Sequence, residues 1–249
     1  MKGGVLNGWR ATVMLISWIG MQLVVGVVAG GVAFGLAFSD GGVPGEEAIA
    51  GAIERLMPWI ILATFVGGGV LLFVLSRLWF SPALRDTAPT GAAWVMGRRS
   101  GLGGGFVVGL ATGLGFLAVS LFFEEPEEGA TLGPMVQMAQ TPGLGRVLWL
   151  CSVLLLAPPL EELLFRGVVY GGYRRSLGAL WAAVLTSVIF VLMHVSELIH
   201  YPPGFLGVGG LAVAALWCRL RWGAIGPAIS AHFAYNFTIV VAFLVSTES

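Results

Sequence analysis

Residues 147–173 read VLWLCSVLLLAPPLEELLFRGVVYGGY, an apolar run interrupted by Glu161, Glu162 and Arg166, with Pro158-Pro159 just ahead of them. About 20 apolar residues cross the hydrocarbon core of a bilayer, so this stretch spans a membrane and carries three ionisable groups inside it. Such groups cost at least about 2.5 kcal/mol each at membrane depth and are read by default as functional. This segment therefore sets both the fold class and the place to look for chemistry.

The rest of the chain agrees. Its 249 residues are 57% hydrophobic and 10% charged, with a mean hydropathy of +0.90 and a formal net charge of zero. That composition excludes an ordinary soluble domain. The absence of basic excess argues against a nucleic-acid partner. The predicted fold is all-α, a polytopic transmembrane bundle forming one membrane domain over residues 1–249. About seven spans are expected: Ala11–Phe38, Trp59–Phe80, Leu102–Phe123, Val147–Tyr173, Leu177–Val195, Phe205–Cys218 and Ala224–Val245. The sixth is short and glycine-rich, which predicts a broken or tilted helix. The first exceeds a signal-peptide core and is expected to be a retained span.

Lys and Arg accumulate on the cytoplasmic side. Lys2 and Arg10, then Arg77, Arg85, Arg98 and Arg99, then Arg174 and Arg175, and finally Arg219 and Arg221 occupy alternate connections. The intervening ones carry Asp40, Glu46, Glu47, Glu54, Glu124, Glu125, Glu127, Glu128 and Glu197, with Arg55 and Arg146 opposed. The N-terminus is thus expected inside and the C-terminus outside, in a prokaryotic plasma (inner) membrane. Glu124–Gly145 is expected as an outer loop with an interfacial turn near Met135–Met138, and His200 as an exposed turn residue. Cys151 and Cys218 lack metal-type spacing and are expected to be buried free thiols. Gly101, Gly105, Gly109 and Gly113 form a stripe that suits close helix packing in lipid. No internal repeat is visible.

Helix geometry divides the motif. Glu162 and Arg166 are four residues apart, the spacing of an intrahelical ion pair, whereas Glu161 lies about 100° round the helix. The two prolines remove backbone donors and should interrupt or kink the span, leaving Glu161 near the start of a fresh segment. Three further polar groups sit in spans: His194 in the fifth, and His232 and Asn236, four apart, in the seventh. At about 1.5 Å per residue from the cytoplasmic ends, Glu161, His194 and Asn236 lie roughly 18–20 Å deep and His232 about 14 Å. One shared cavity is therefore possible, built from spans 4, 5 and 7.

Residue inventory excludes several mechanisms. Asp40 and Asp86, the only aspartates, lie in connections, so no intramembrane aspartyl pair exists. Neither His-Glu-x-x-His nor Gly-x-Ser-Gly occurs, and Ser187 and Ser230 sit in apolar helices where hydroxyls usually bond their own backbone.

Glu161-Glu162-x-x-x-Arg166, Phe190-x-x-x-His194 and His232-x-x-x-Asn236, in that order on three spans, resemble the CPBP family of intramembrane proteases, the CAAX prenyl endopeptidases and bacteriocin-processing relatives also called Abi proteins. The resemblance covers about residues 147–240 as the catalytic core. It implies an intramembrane endopeptidase acting on a membrane-associated or membrane-anchored peptide or protein within the lipid bilayer. It also implies catalytic Glu161 and His194 activating water, His232 and Asn236 holding the oxyanion, and supporting Glu162, Arg166 and Phe190. A metal-free mechanism is favoured. The alternative is zinc held by Glu161, His194 and His232. A reading from another class is a transporter or an immunity or accessory factor using the same polar cluster.

Overall fold

The computed structural model describes residues 5–38, 45–123, 143–199 and 201–248. Residues 124–142 of the expected outer loop, with its turn at Met135–Met138, and His200 lie outside the described residues, and the expected loop's last residues, Leu144 and Gly145, already belong to a helix. Among those described there is no strand, and six helices are long and apolar enough to cross a membrane. The chain is an all-α polytopic helical bundle and an integral membrane protein.

Helix α1 (Gly8–Phe38) and α2 (Glu46–Phe80) form an antiparallel pair. Helix α2 begins well before the expected Trp59, running through Pro58 without a break. Gly68 of α2 lets the Trp18 ring of α1 approach so closely that a Cβ there would lie 2.7 Å from it. Helix α3 (Arg99–Ser120) packs chiefly on α8 (Gly226–Glu248). All four stripe glycines are buried, and a side chain at Gly105 or Gly109 would strike the backbone carbonyl of Pro227 or Ala231. Ser230, expected to bond within its own helix, instead donates to the Leu102 carbonyl of α3 at 2.8 Å.

Helix α4 (Leu144–Leu177) threads the centre, with Leu164 to Tyr170 buried without interruption. That stretch is buried on every side and so, apart from Arg166, reads as apolar all round, whereas Val147 and Leu155 earlier in the helix are exposed on the apolar outer face of the bundle. The prolines do not break it. The backbone takes a π-helical form over Ser152–Leu156 and again over Leu163–Val169, and this wider winding accommodates the missing donors. Cys218 is buried, but Cys151 is exposed on α4, contrary to expectation; both thiols are free.

Helix α5 (Ala179–Leu192) stops before the expected Val195 and is only 14 residues long. The cause is His194, whose ring Nδ1 takes the Phe190 carbonyl at 2.8 Å while its backbone N–H turns to Val191. The ring substitutes for the backbone donor and ends the helix, and a short turn, α6 (Val195–Leu198), follows. Helix α7 (Gly204–Trp222) is continuous over 19 residues, so the expected break is absent. Its Arg219, expected in a polar connection, is 1% exposed and donates to the carbonyls of Ala88 and Gly91 at 3.2 and 3.0 Å. It thereby pins the α2–α3 connection beneath the bundle.

Candidate active site

Glu162 is fully buried, and its Oε2 lies 3.2 Å from Arg166 Nε, as the four-residue spacing predicts. The arginine is held further by the Ala212 carbonyl at 3.2 Å and by the face of the Phe190 ring, 4.1 Å away. Buried charges persist only when paired and hydrogen-bonded, and this guanidinium has three kinds of partner. Phe190 is also the packing hub. Its ring centroid is 4.7 Å from His194, 5.9 Å from His232 and 5.2 Å from Phe165, so it orients both imidazoles rather than His194 alone.

The other oxygen of Glu162 accepts from His232 Nδ1 at 2.9 Å. A carboxylate paired with arginine can only accept, so Nδ1 carries hydrogen, and Nε2 is left to face Glu161. The same logic applies to His194: its Nδ1 donates to the Phe190 carbonyl, leaving Nε2 as the acceptor. Both free Nε2 atoms face one atom. Glu161 Oε2 lies 3.7 Å from His194 Nε2 and 4.0 Å from His232 Nε2, and it is buried without a hydrogen-bond partner.

An unpartnered buried carboxylate oxygen between two ring nitrogens, too far for direct hydrogen bonds to either, is placed for a bridging water or a polar substrate atom. Glu161 and His194 open onto a cavity of about 200 Å³ whose other walls include Trp18 and Gln22 of α1, and Ile61, Thr64 and Phe65 of α2. The first two helices were not expected to contribute. The signal for Gln22 was its amide, with no charged residue beside it in the span Ala11–Phe38. Thr64 gave none, since it donates to its own helix at Ile60.

Asn236 is placed differently. It does not line the Glu161 cavity but a neighbouring one of about 310 Å³, walled by Phe116, Trp149, Tyr201 and Tyr235 among others. Its Nδ2 donates to the Val153 carbonyl of α4 at 2.9 Å. The tertiary structure thus gathers Glu161, His194 and His232, with Glu162, Arg166 and Phe190 behind them, and sets Asn236 one helical turn further along α8.

Carboxylate and imidazole are donor types that zinc accepts. Glu161, His194 and His232 are the residues that would supply them, with Glu161 Oε2 3.7 and 4.0 Å from the two Nε2 atoms, although among the described residues no group of three His, Cys, Asp or Glu is placed to hold a metal ion as it stands.

Residues 143–238 match the family model described as Rce1-like, type II CAAX prenyl endopeptidase Rce1-like. No curated protein and no solved structure matches the chain. The matched segment holds every side chain of the polar cluster, and the family is one of peptidases. Over residues 143–238 this polytopic membrane protein matches the family model of the CPBP/CAAX proteases.

Proposed function

We propose that the protein is a metal-free intramembrane endopeptidase that hydrolyses a peptide bond in a membrane-associated or membrane-anchored substrate. The observation that carries this reading is the orphaned Glu161 oxygen facing two imidazole nitrogens beside a cavity. Water held between Glu161 and His194 attacks the scissile carbonyl carbon, and its proton passes to Glu161. The carbonyl oxygen becomes an oxyanion. As the intermediate collapses, the C–N bond breaks and Glu161 returns the proton to the leaving amine.

Oxyanion stabilisation falls to His232, whose Nε2 faces Glu161, with Asn236 a second donor when the scissile carbonyl extends toward the neighbouring cavity that Asn236 lines. His232 can donate from Nε2 only with hydrogen on both nitrogens, and the Glu162 carboxylate, 2.9 Å from its Nδ1, supplies the counter-charge that such an imidazolium needs in a low-dielectric site once Glu161 has taken the water proton. Asn236 keeps a second amide N–H beyond the one given to Val153. Each donor is worth about 2.7–4 kcal/mol in a site that excludes water.

Alternating basic connections orient the N-terminus to the cytoplasm and the C-terminus outward in a prokaryotic plasma membrane. Reporter fusions at both ends test that orientation. The activity is tested by comparing protein termini in membranes bearing the wild-type protein or Glu161→Gln. Substrates appear as uncut termini in the variant, and identical termini in both would overturn the reading. Stoichiometric zinc in the purified protein, lost together with activity in Glu161→Gln, would replace the metal-free mechanism with a metallopeptidase one.

A further inference from the structure

Asn236 Nδ2 donates to the Val153 carbonyl at 2.9 Å, at a point where the backbone register withholds its usual donor. In an α-helix the Val153 oxygen would accept from the N–H of residue 157. Here the Ala157 N–H bonds the Ser152 oxygen instead, five residues back, in the π register of Ser152–Leu156. In that register the donor for Val153 is residue 158. Residue 158 is proline and has no N–H. Both backbone routes to the Val153 oxygen are closed, and a carbonyl inside a membrane bundle needs a donor from elsewhere. Asn236 of α8 provides it. Because a carbonyl only accepts, the contact also fixes which end of the amide faces α4: nitrogen toward Val153, with the second N–H and Oδ1 directed away.

We propose that Pro158 is a positioning residue for Asn236, fixing the amide's orientation by leaving the Val153 carbonyl free to receive it. This rests on the reading of Asn236 as an oxyanion donor, but the hydrogen bond itself is measurable without cleavage. Pro158→Ala restores an N–H that can reach Val153 in the π register, or return the segment to α-helical bonding; either way a backbone donor competes with Asn236 for that carbonyl. Pro159→Ala is the matched control, since residue 159 is not the π-register donor for Val153.

The chain has two asparagines, Asn7 and Asn236, so protein labelled with 15N-asparagine in nanodiscs gives two side-chain amide pairs. One Asn236 amide proton is expected to be protected from exchange in the wild type and in Pro159→Ala, with protection lost in Pro158→Ala. Pro158→Leu restores the same N–H and serves if the alanine variant does not fold. Cleavage is then followed on a substrate named by the terminus comparison. Pro158→Ala is expected to lower kcat about tenfold or more with KM nearly unchanged, a part of the roughly 100–1,000-fold that loss of an oxyanion donor costs. Asn236→Ala added to it lowers kcat no further, whereas an unrelated structural defect would multiply with it.

Retained protection in both Pro158 variants, full activity despite lost protection, or multiplying losses in the double variant would each overturn the proposal. A wild-type protein that cuts nothing would count against the peptidase reading, and the exchange measurement still decides whether Pro158 holds Asn236.

Discussion

Glu162→Gln offers a test of the electrostatic core that does not depend on knowing a substrate. The substitution keeps shape and removes one charge, leaving Arg166, which is 1% exposed, without the carboxylate 3.2 Å away. Breaking a buried ion pair from one side costs about 3–5 kcal/mol, because the remaining charge is left uncompensated. The Ala212 carbonyl and the Phe190 ring still hold the guanidinium, and a desolvated cation–π contact is worth about 2 kcal/mol, so the lower end of that range is expected. Removing both charges in Glu162→Gln/Arg166→Met should cost clearly less than the sum of the two single changes, since neither ion is then stranded. Reversible unfolding in bicelles or mixed micelles gives all four stabilities. Single losses below about 1 kcal/mol, or additive losses in the double variant, would refute the claim that these charges sit paired in a low-dielectric interior.

Other consequences can be checked separately. Gly109→Ala drives a Cβ into the Ala231 carbonyl, whereas Gly103→Ala meets nothing within 4 Å; the first should destabilise by about 1–3 kcal/mol and the second should leave the unfolding midpoint unchanged or slightly raised. Glu161→Gln should lower cleavage by about 100-fold or more while leaving stability unchanged or improved, because the lost oxygen had no hydrogen-bond partner; unfolding and activity measured on one preparation separate the two effects. Arg219→Met strands the Ala88 and Gly91 carbonyls, so limited proteolysis should find the 84–98 connection cut faster than in the wild type.

Parts of the site were legible in linear order because their partners are near in sequence. Glu162 and Arg166 meet through helix pitch alone, and Phe190 meets His194 for the same reason. Glu161 stood apart because it is out of phase with that pair. Its convergence with His194 and His232 could only be permitted by matching depth, since depth says nothing about which way a side chain points across a bundle. The placement of Asn236 shows the limit. Depth put it level with Glu161, yet helix rotation turns it onto a second cavity, where it bonds a carbonyl that only the π-helical register leaves open.

Composition and hydropathy by themselves determined that this is an all-α membrane protein, because a backbone in lipid must satisfy its own hydrogen bonds and here does so as helices. They also located the charges that cannot be there for packing alone. The tertiary structure decided where helices end and bend. His194 stops α5 by replacing a backbone donor, Pro158 is absorbed into a wider turn rather than breaking α4, and Arg219 reaches inward to hold a connection. Each outcome depends on whether an orphaned carbonyl finds a donor from its own side chains, another helix or a connecting loop. That is a property of three-dimensional neighbours, which local propensity and spacing do not encode.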